Sequence, residues 1–535
     1  MRSHSRLSNF FPFLFVLVSA ASLGQAPATP SDETSHLTIK SQLVVLDTVV
    51  TDRKGNIVTN LKRDDFNIYE DGVLQKVRNF DAPADRAQIP AAPTKDRNGN
   101  DDWGDSPLTM IVIDEMDTPF TEISYAKQCV EAYLKGQPAQ LAEPTILLWL
   151  NDHGLRPVTQ FTRNRDEILQ AIHNHPPSAA GKLARGASVE MIAASFSALQ
   201  QAALFSRGQP GKKEVLWVGR SFPGMNGQVM DYTDKELMAK ALHSTVDLLL
   251  ESRVSLYVID PTLGTSVDMN NPQAITDTAS IEPIASPKPT DPFADSFNIN
   301  LFVDETGGKY YRGMNDLDRE LADSVQRGTG FYTLTYTPAL RESASEYHSI
   351  TVRMSDPNLT AQTKEGYYST EPADLEPAKQ AAKEADNDLR FDLYEATVDG
   401  MPYTGIGLHV QQCQRGKDDQ EATCSLSIDS GTLTFTPNNK GEEQTVLLAV
   451  MSSLDAKGHI LNHTSRQLTL GVPESQASLI RTGNMPLMLH TIVPAGTKRV
   501  RVVLRDVNGR IGTAEVDPAA VPPLVSSVVM KKGLK

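Results

Sequence analysis

Residues 110–113 form an unbroken apolar run, Met-Ile-Val-Ile, that stops on Asp114, Glu115, Asp117 and Thr118. An apolar run without period-two alternation suits a strand covered on both faces, as in a parallel sheet flanked by helices. Residues 145–150, 214–218 and 254–259 repeat the pattern. Between them, residues 121–134 carry Ile123, Ala126, Val130 and Leu134 at helical spacing, and residues 166–172, 188–205 and 235–251 read as further helices. Helix, strand and helix follow at 297–304, 309–311 and 317–325, and residues 331–336 are expected to be the last strand. Residues 155–161 are expected to form an antiparallel edge hairpin, and residues 270–292 an insertion rich in Pro, Ser and Asp. Strand–helix alternation over 106–338 predicts an α/β doubly wound sheet with right-handed crossovers.

The flanks have a different rhythm. Residues 36–84 read as an N-terminal β unit, in which Asp71-Gly72 supplies the positive φ of a tight hairpin turn. Residues 85–105 are an acidic, aperiodic linker. Its DRNGNDDWGD stretch gathers oxygen-bearing side chains but has Asp101 and Pro107 where a helix–loop–helix calcium loop needs Gly and Glu, so it is expected to be solvated. Residues 339–370 are a β extension expected to pair with the N-terminal unit. Residues 371–388 are a charged, Ala-rich linker helix, and short punctuated runs over 389–520 predict an all-β sandwich.

Composition changes the picture in two ways. A formal charge of −15 over 535 residues disfavours sequence-independent nucleic-acid binding, which needs a basic surface. Residues 1–24 combine Arg2 and Arg6 with a short apolar core and small residues at Ser22 and Gly24, the pattern of a cleaved signal peptide. The apolar stretch is shorter than the roughly 20 residues a membrane span needs. Export to the periplasm or beyond follows, with no transmembrane span after cleavage. Cys413 and Cys424 flank a polar turn and either close a disulfide or stand as two thiols. Cys129 shares a helical face with Ala126 and Tyr133 and is expected in the core.

The stretches LVVLDTVVTDRKGNIVTNLKRDDFNIYEDG, PLTMIVIDEMDT, KKEVLWVGRSF, VSLYVIDP, ETGGKYYRGMNDL and KEGYYS, in that order, resemble the von Willebrand factor A-related proteins of acidobacteria. The resemblance runs from about residue 43 to 368 and implies a secreted protein built on a von Willebrand factor A-like domain; it implies no substrate. It also implies a sheet-edge site for Mg2+ or Mn2+, built on Asp-x-Ser-x-Ser with a Thr and a second Asp from other loops. Here Asp114 takes the first position and Thr118 the second hydroxyl, and Ser188 stands in for the Thr. Met116 replaces the first Ser, and Gly219-Arg220-Ser221 lies where the second Asp would be. Thioether sulfur is a poor ligand for a hard cation. Either Asp117 completes a degenerate site, or the Arg220 guanidinium replaces the metal's charge beside Asp114. The second alternative is the simpler, and no cofactor is expected.

Other candidates carry less. Gly219–Gly224 has Pro223 where a nucleophile elbow needs Gly. His153 and Glu115 read as solvated loop residues. The expectation is an exported, non-enzymatic interaction or adhesion protein that meets a protein or glycan partner at the sheet's carboxyl edge, through Asp114, Asp117, Thr118, Ser188, Arg220 and Ser221. A metal-dependent hydrolase at the same edge and an inert envelope scaffold are the alternatives.

Overall fold

The computed structural model describes residues 43–86, 90, 92–95, 101–116, 118, 120–151, 154–175, 188–209, 211–219, 242, 244–261, 299–312, 317–338, 347–368, 393–416, 421–437, 442–473, 483–506 and 509–518. The signal peptide over 1–24, the 270–292 insertion and the 371–388 linker helix lie outside the described residues, as do Asp117, His153, Arg220 and Ser221. No described helix is long and apolar enough to cross a membrane.

The apolar runs form a seven-stranded sheet. Leu108–Asp114, Gln140–Asn151, Lys213–Val218, Val254–Asp260 and Lys309–Arg312 are mutually parallel, while Gly154–Pro157 and Thr162–Asn164 pair antiparallel to Gln140–Asn151. All seven residues of Leu108–Asp114 are buried, which explains why the run shows no alternation. The two faces feed separate cores. Met110, Val112, Val215 and Trp217 pack with Phe196, Leu199 and Val246 on one side. Ile111, Ile113, Leu216 and Val218 pack with Ile123, Val130, Ile168 and Leu321 on the other. Helices therefore cover both faces, as a doubly wound sheet requires. Cys129 is buried in the second core.

The expectation that residues 331–336 close this sheet is corrected. Phe331–Tyr336 pairs antiparallel with Val44–Thr51 and Asn79–Asp81, in a four-stranded sheet with Thr360–Gln362. Its burial pattern is nearly continuous, so hydrophobicity alone does not distinguish a sandwich strand from a parallel-sheet strand. A second sheet, ordered Gly366–Tyr368, Tyr347–Met354, Phe66–Glu70 and Val73–Gln75, faces it across a core of Leu46, Phe66, Ile68, Tyr332 and Leu334. The β extension does pair with the N-terminal strands. Asp71 and Gly72 take φ of 48° and 79° at the expected hairpin turn.

This β unit meets the α/β domain at the amino edge of the parallel sheet. Asp47 accepts from Arg253 Nη2 at 2.7 Å and Nε at 3.1 Å, and from Thr333 Oγ1 at 2.9 Å. The Asp47 carboxyl is buried, which pushes its pKa up; Arg253, with smaller help from Lys212 and Thr333, outweighs this and holds it below the ordinary value. The linker is also tied down. Thr94–Lys95 pairs with Asp101–Asp102, and Trp103 is buried, so the described end of the linker is anchored and not solvated throughout.

Beyond residue 393, the strands Leu408–Arg415, Glu421–Asp429 and Asn484–Ile492 form one antiparallel sheet. Glu442–Leu454, Ile460–Pro473, Arg499–Asp506 and Ile511–Val516, with Thr436–Pro437, form another. Leu426, Ile428, Leu447, Met451, Val502 and Leu504 fill the space between them, which is a sandwich. Cys413 and Cys424 face each other in register and are joined by a disulfide. The sandwich packs on the α/β domain, because Ala396, Met401, Tyr403, Val503 and Ile511 belong to the same core as Leu155 and Phe205.

Candidate functional site

The strand order places the first strand, Leu108–Asp114, between Gln140–Asn151 and Lys213–Val218. The chain thus reverses its direction of travel across the sheet between Leu108–Asp114 and Lys213–Val218. Open α/β sheets bind ligands in the crevice at such a switch point, outside the carboxyl ends. Ile113 pairs with Val218, and Val218 with Ile259. Asp114, Gly219 and Asp260 therefore follow in one row across three adjacent strands, which sets the Asp114 and Asp260 backbones about 10 Å apart by strand spacing.

Asp114 is 1% exposed and held at both carboxylate oxygens. Oδ1 accepts from the Met116 backbone N–H at 2.9 Å, closing a turn just past the strand. Oδ2 accepts from Trp217 Nε1 at 3.3 Å. Residues 114 and 217 lie on the same face of the sheet, so this bond follows from register and the two-residue strand period. Gly219 supplies the room. A Cβ there would sit 2.6 Å from Asp114 Cβ and 2.8 Å from Thr118 Oγ1. Thr118 is 3% exposed, with its hydroxyl over the glycine. Asp260, 4% exposed, accepts from the Tyr310 hydroxyl at 3.2 Å.

The structure therefore brings Asp114 and Thr118 together around Gly219. Their side chains are buried, so as they stand they shape the edge and do not present themselves to a partner. Ser188 begins the helix Ser188–Ser206, but its side chain lies outside the described residues, as do Asp117, Arg220 and Ser221.

Glu115, expected to be solvated, is instead 3% exposed. Strand alternation sends it to the other face. Its backbone N–H donates to Leu150 O at 2.9 Å, and its carboxylate lies 3.9 Å from His175 Nε2. The His175 ring stacks on Trp149 with centroids 3.7 Å apart. Burial lowers the pKa of this histidine, against the pull of Glu115. Sequence reasoning missed His175, which ends a helix and carries no motif. It also missed Phe120, the first residue of the helix Phe120–Gly136, whose ring is 55% exposed two positions after Thr118. An apolar residue directly before a helical pattern was the available signal.

The implied Mg2+ or Mn2+ requires several oxygen ligands in near-octahedral array. Among the described residues the edge offers Asp114 and Thr118, with Asp260 two strands away. The Asp114 oxygens already accept N–H bonds, Met116 brings sulfur, and Gly219 brings no side chain. This set does not fit the ion.

No family model matches the chain, and no curated protein matches it. Among solved structures, it is similar to proximal thread matrix protein 1 from the mussel byssus, with a zinc-occupied MIDAS motif. The identity is 11% and the TM-score 0.19, over 30% of this chain and 39% of that one. It is also similar to the SpRpn10 VWA domain, at 14% identity and a TM-score of 0.16, over 29% of this chain and 89% of that one. A β-glucuronidase from glycoside hydrolase family 2 matches 21% of this chain at 12% identity and a TM-score of 0.13, over 10% of its own length. The chain spans well under two thirds of the mussel protein's length, and likenesses at these scores carry no argument about activity.

Proposed function

We propose that this chain is an exported, non-enzymatic interaction protein that docks a protein partner on the loops at the carboxyl edge of its α/β sheet. The observation that carries the reading is the pairing of a braced edge with an exposed aromatic. Asp114 closes the turn just past the first strand through the Met116 N–H and is held from the next strand by Trp217, with Thr118 beside it over Gly219. Phe120 stands 55% exposed at the start of the following helix. Rigidly held aromatic residues dominate the energetics of protein interfaces. The buried polar row serves as the scaffold of that surface. The amino-terminal targeting pattern supports export.

The test uses the mature full-length chain as bait in extracts of its native envelope. Phe120→Ser is expected to reduce recovery of the partner by about 30-fold, the effect of losing a hot spot worth about 2 kcal/mol. Val73→Ser, at a valine 60% exposed on the N-terminal β unit, is expected to leave recovery unchanged. Equal recovery with both variants would remove the edge from the binding surface.

A further inference from the structure

Three ionisable side chains converge inside the N-terminal β unit, away from the sheet edge. Glu70 ends the strand Phe66–Glu70, Asp71 opens the following turn, and His348 lies on Tyr347–Met354, the next strand of that sheet. One ligand atom from each falls within 4.8 Å of the other two. His348 Nδ1 is 2.9 Å from Asp71 Oδ2, and Asp71 Oδ1 accepts from the Ser349 N–H at 3.0 Å. Glu70 is 0% exposed and His348 1%. The Tyr367 hydroxyl donates to Glu70 Oε2 at 3.4 Å.

A separate observation points into the same place. The Tyr336 hydroxyl, on a strand of the facing sheet, is buried and has no hydrogen-bond partner of good geometry. Its carboxylate neighbour is Glu70. A buried hydroxyl against a carboxylate without a well-aligned hydrogen bond is poorly solvated, and a cation held beside Glu70 would relieve that.

We infer that Glu70, Asp71 and His348 form a structural site for a divalent transition-metal ion of the zinc class, with the Tyr336 hydroxyl beside it. One imidazole nitrogen and two carboxylates are a donor set that suits Zn2+ better than Mg2+ or Ca2+, which take oxygen ligands almost exclusively. Ligands about 2.1 Å from a tetrahedral ion stand about 3.4 Å apart. The His348–Asp71 pair, 2.9 Å apart, therefore has to open by about half an ångström to admit one. The ion would tie the hairpin turn to the neighbouring strand, with Asp71 linked both by its backbone and by its side chain. This site is independent of the sheet edge and of the docking reading.

The test is metal stoichiometry on the full mature chain, stripped with chelator and dialysed against Zn2+, with Ca2+ in parallel. The expected result is one tightly held Zn2+ per chain, a higher melting temperature on loading, and no comparable Ca2+ uptake. His348→Gln is expected to weaken binding by about 100-fold or more and Tyr336→Phe by about 10-fold, the range for outer partners of a metal site. Asp114→Asn is expected to leave binding unchanged. Should His348→Gln fold poorly, absorption spectra of the Co2+-loaded wild-type chain decide, since one nitrogen and otherwise oxygen ligands are expected. No Zn2+ retained by the wild type, the same affinity in a folded His348→Gln variant, or a Co2+ spectrum of several imidazoles would overturn the site.

Discussion

Glu143→Gln tests how the amino edge of the parallel sheet is held together. Glu143 is 1% exposed; its Oε2 accepts from Thr109 Oγ1 at 2.7 Å, and its Oε1 is buried without a hydrogen-bond partner. Glu214, 0% exposed and bonded to Lys212 Nζ at 2.8 Å, repels it. Burial first, and Glu214 second, push the Glu143 pKa from 4.5 to about 8. Because the folded value is raised, the folded state keeps a proton that the unfolded chain releases above pH 4.5. The contribution of Glu143 to stability is thus complete below that pH. It declines as pH rises and is exhausted above about 8. At about 1.4 kcal/mol per pH unit, the loss reaches on the order of 5 kcal/mol.

Gln is neutral at every pH and keeps an oxygen for Thr109. Wild type and variant are expected to melt together near pH 5, with the variant gaining on the order of 10 °C by pH 9, at about 2–4 °C per kcal/mol for a unit of 150–250 residues. Differential scanning calorimetry at half-unit pH steps reads the difference directly. Parallel profiles across that range would show that Glu143 ionises normally in the folded chain and that its burial has been misjudged.

Two further perturbations follow from the same contacts. Gly219→Ala places a Cβ 2.6 Å from Asp114 Cβ and 2.8 Å from Thr118 Oγ1, an overpacking that should cost about 1–3 kcal/mol; an unchanged melting temperature would mean that the edge is not braced as described. Arg501→Met removes a guanidinium, 1% exposed, that bonds Ala396 O at 2.7 Å, Asp399 Oδ1 at 3.3 Å and Met401 O. Breaking such a buried pair costs about 3–5 kcal/mol, and limited proteolysis should separate the sandwich from the α/β domain sooner. Burial holds the Asp399 pKa up at about 6 even with Arg501 beside it, so the variant's deficit should shrink as pH falls below that value. A deficit independent of pH would assign the loss to packing alone.

What the sequence displayed and what it concealed follow from how each feature is encoded. The parallel strands were legible because burial on both faces leaves an unbroken apolar run, and the Asp71-Gly72 turn because positive φ narrows the choice of residue. The membership of Phe331–Tyr336 was not legible. Its partners Val44–Thr51 and Asn79–Asp81 lie more than 240 residues earlier, and strand pairing at that range leaves no local mark. The edge shows the same division. Asp114 was identifiable as the residue that ends a buried strand, yet its burial depends on the Trp217 N–H delivered by a neighbouring strand and on the absence of a side chain at Gly219.

Glu115 was misread for the opposite reason. A charged residue after a strand is usually solvated, whereas Glu115 lies buried against His175, whose ring stacks on Trp149. The cluster at Glu70, Asp71 and His348 lies deepest of all, since 277 positions separate its hydrogen-bonded pair. Chemistry assembled across such distances has no spacing motif, so a motif search would favour the sheet edge even if the chain's best ligand set lay elsewhere. That asymmetry makes the two sites separable. A variant that disables docking through Phe120 and keeps Zn2+, set against one that loses Zn2+ at His348 and keeps docking, would establish that the β unit and the α/β edge do different work in one chain.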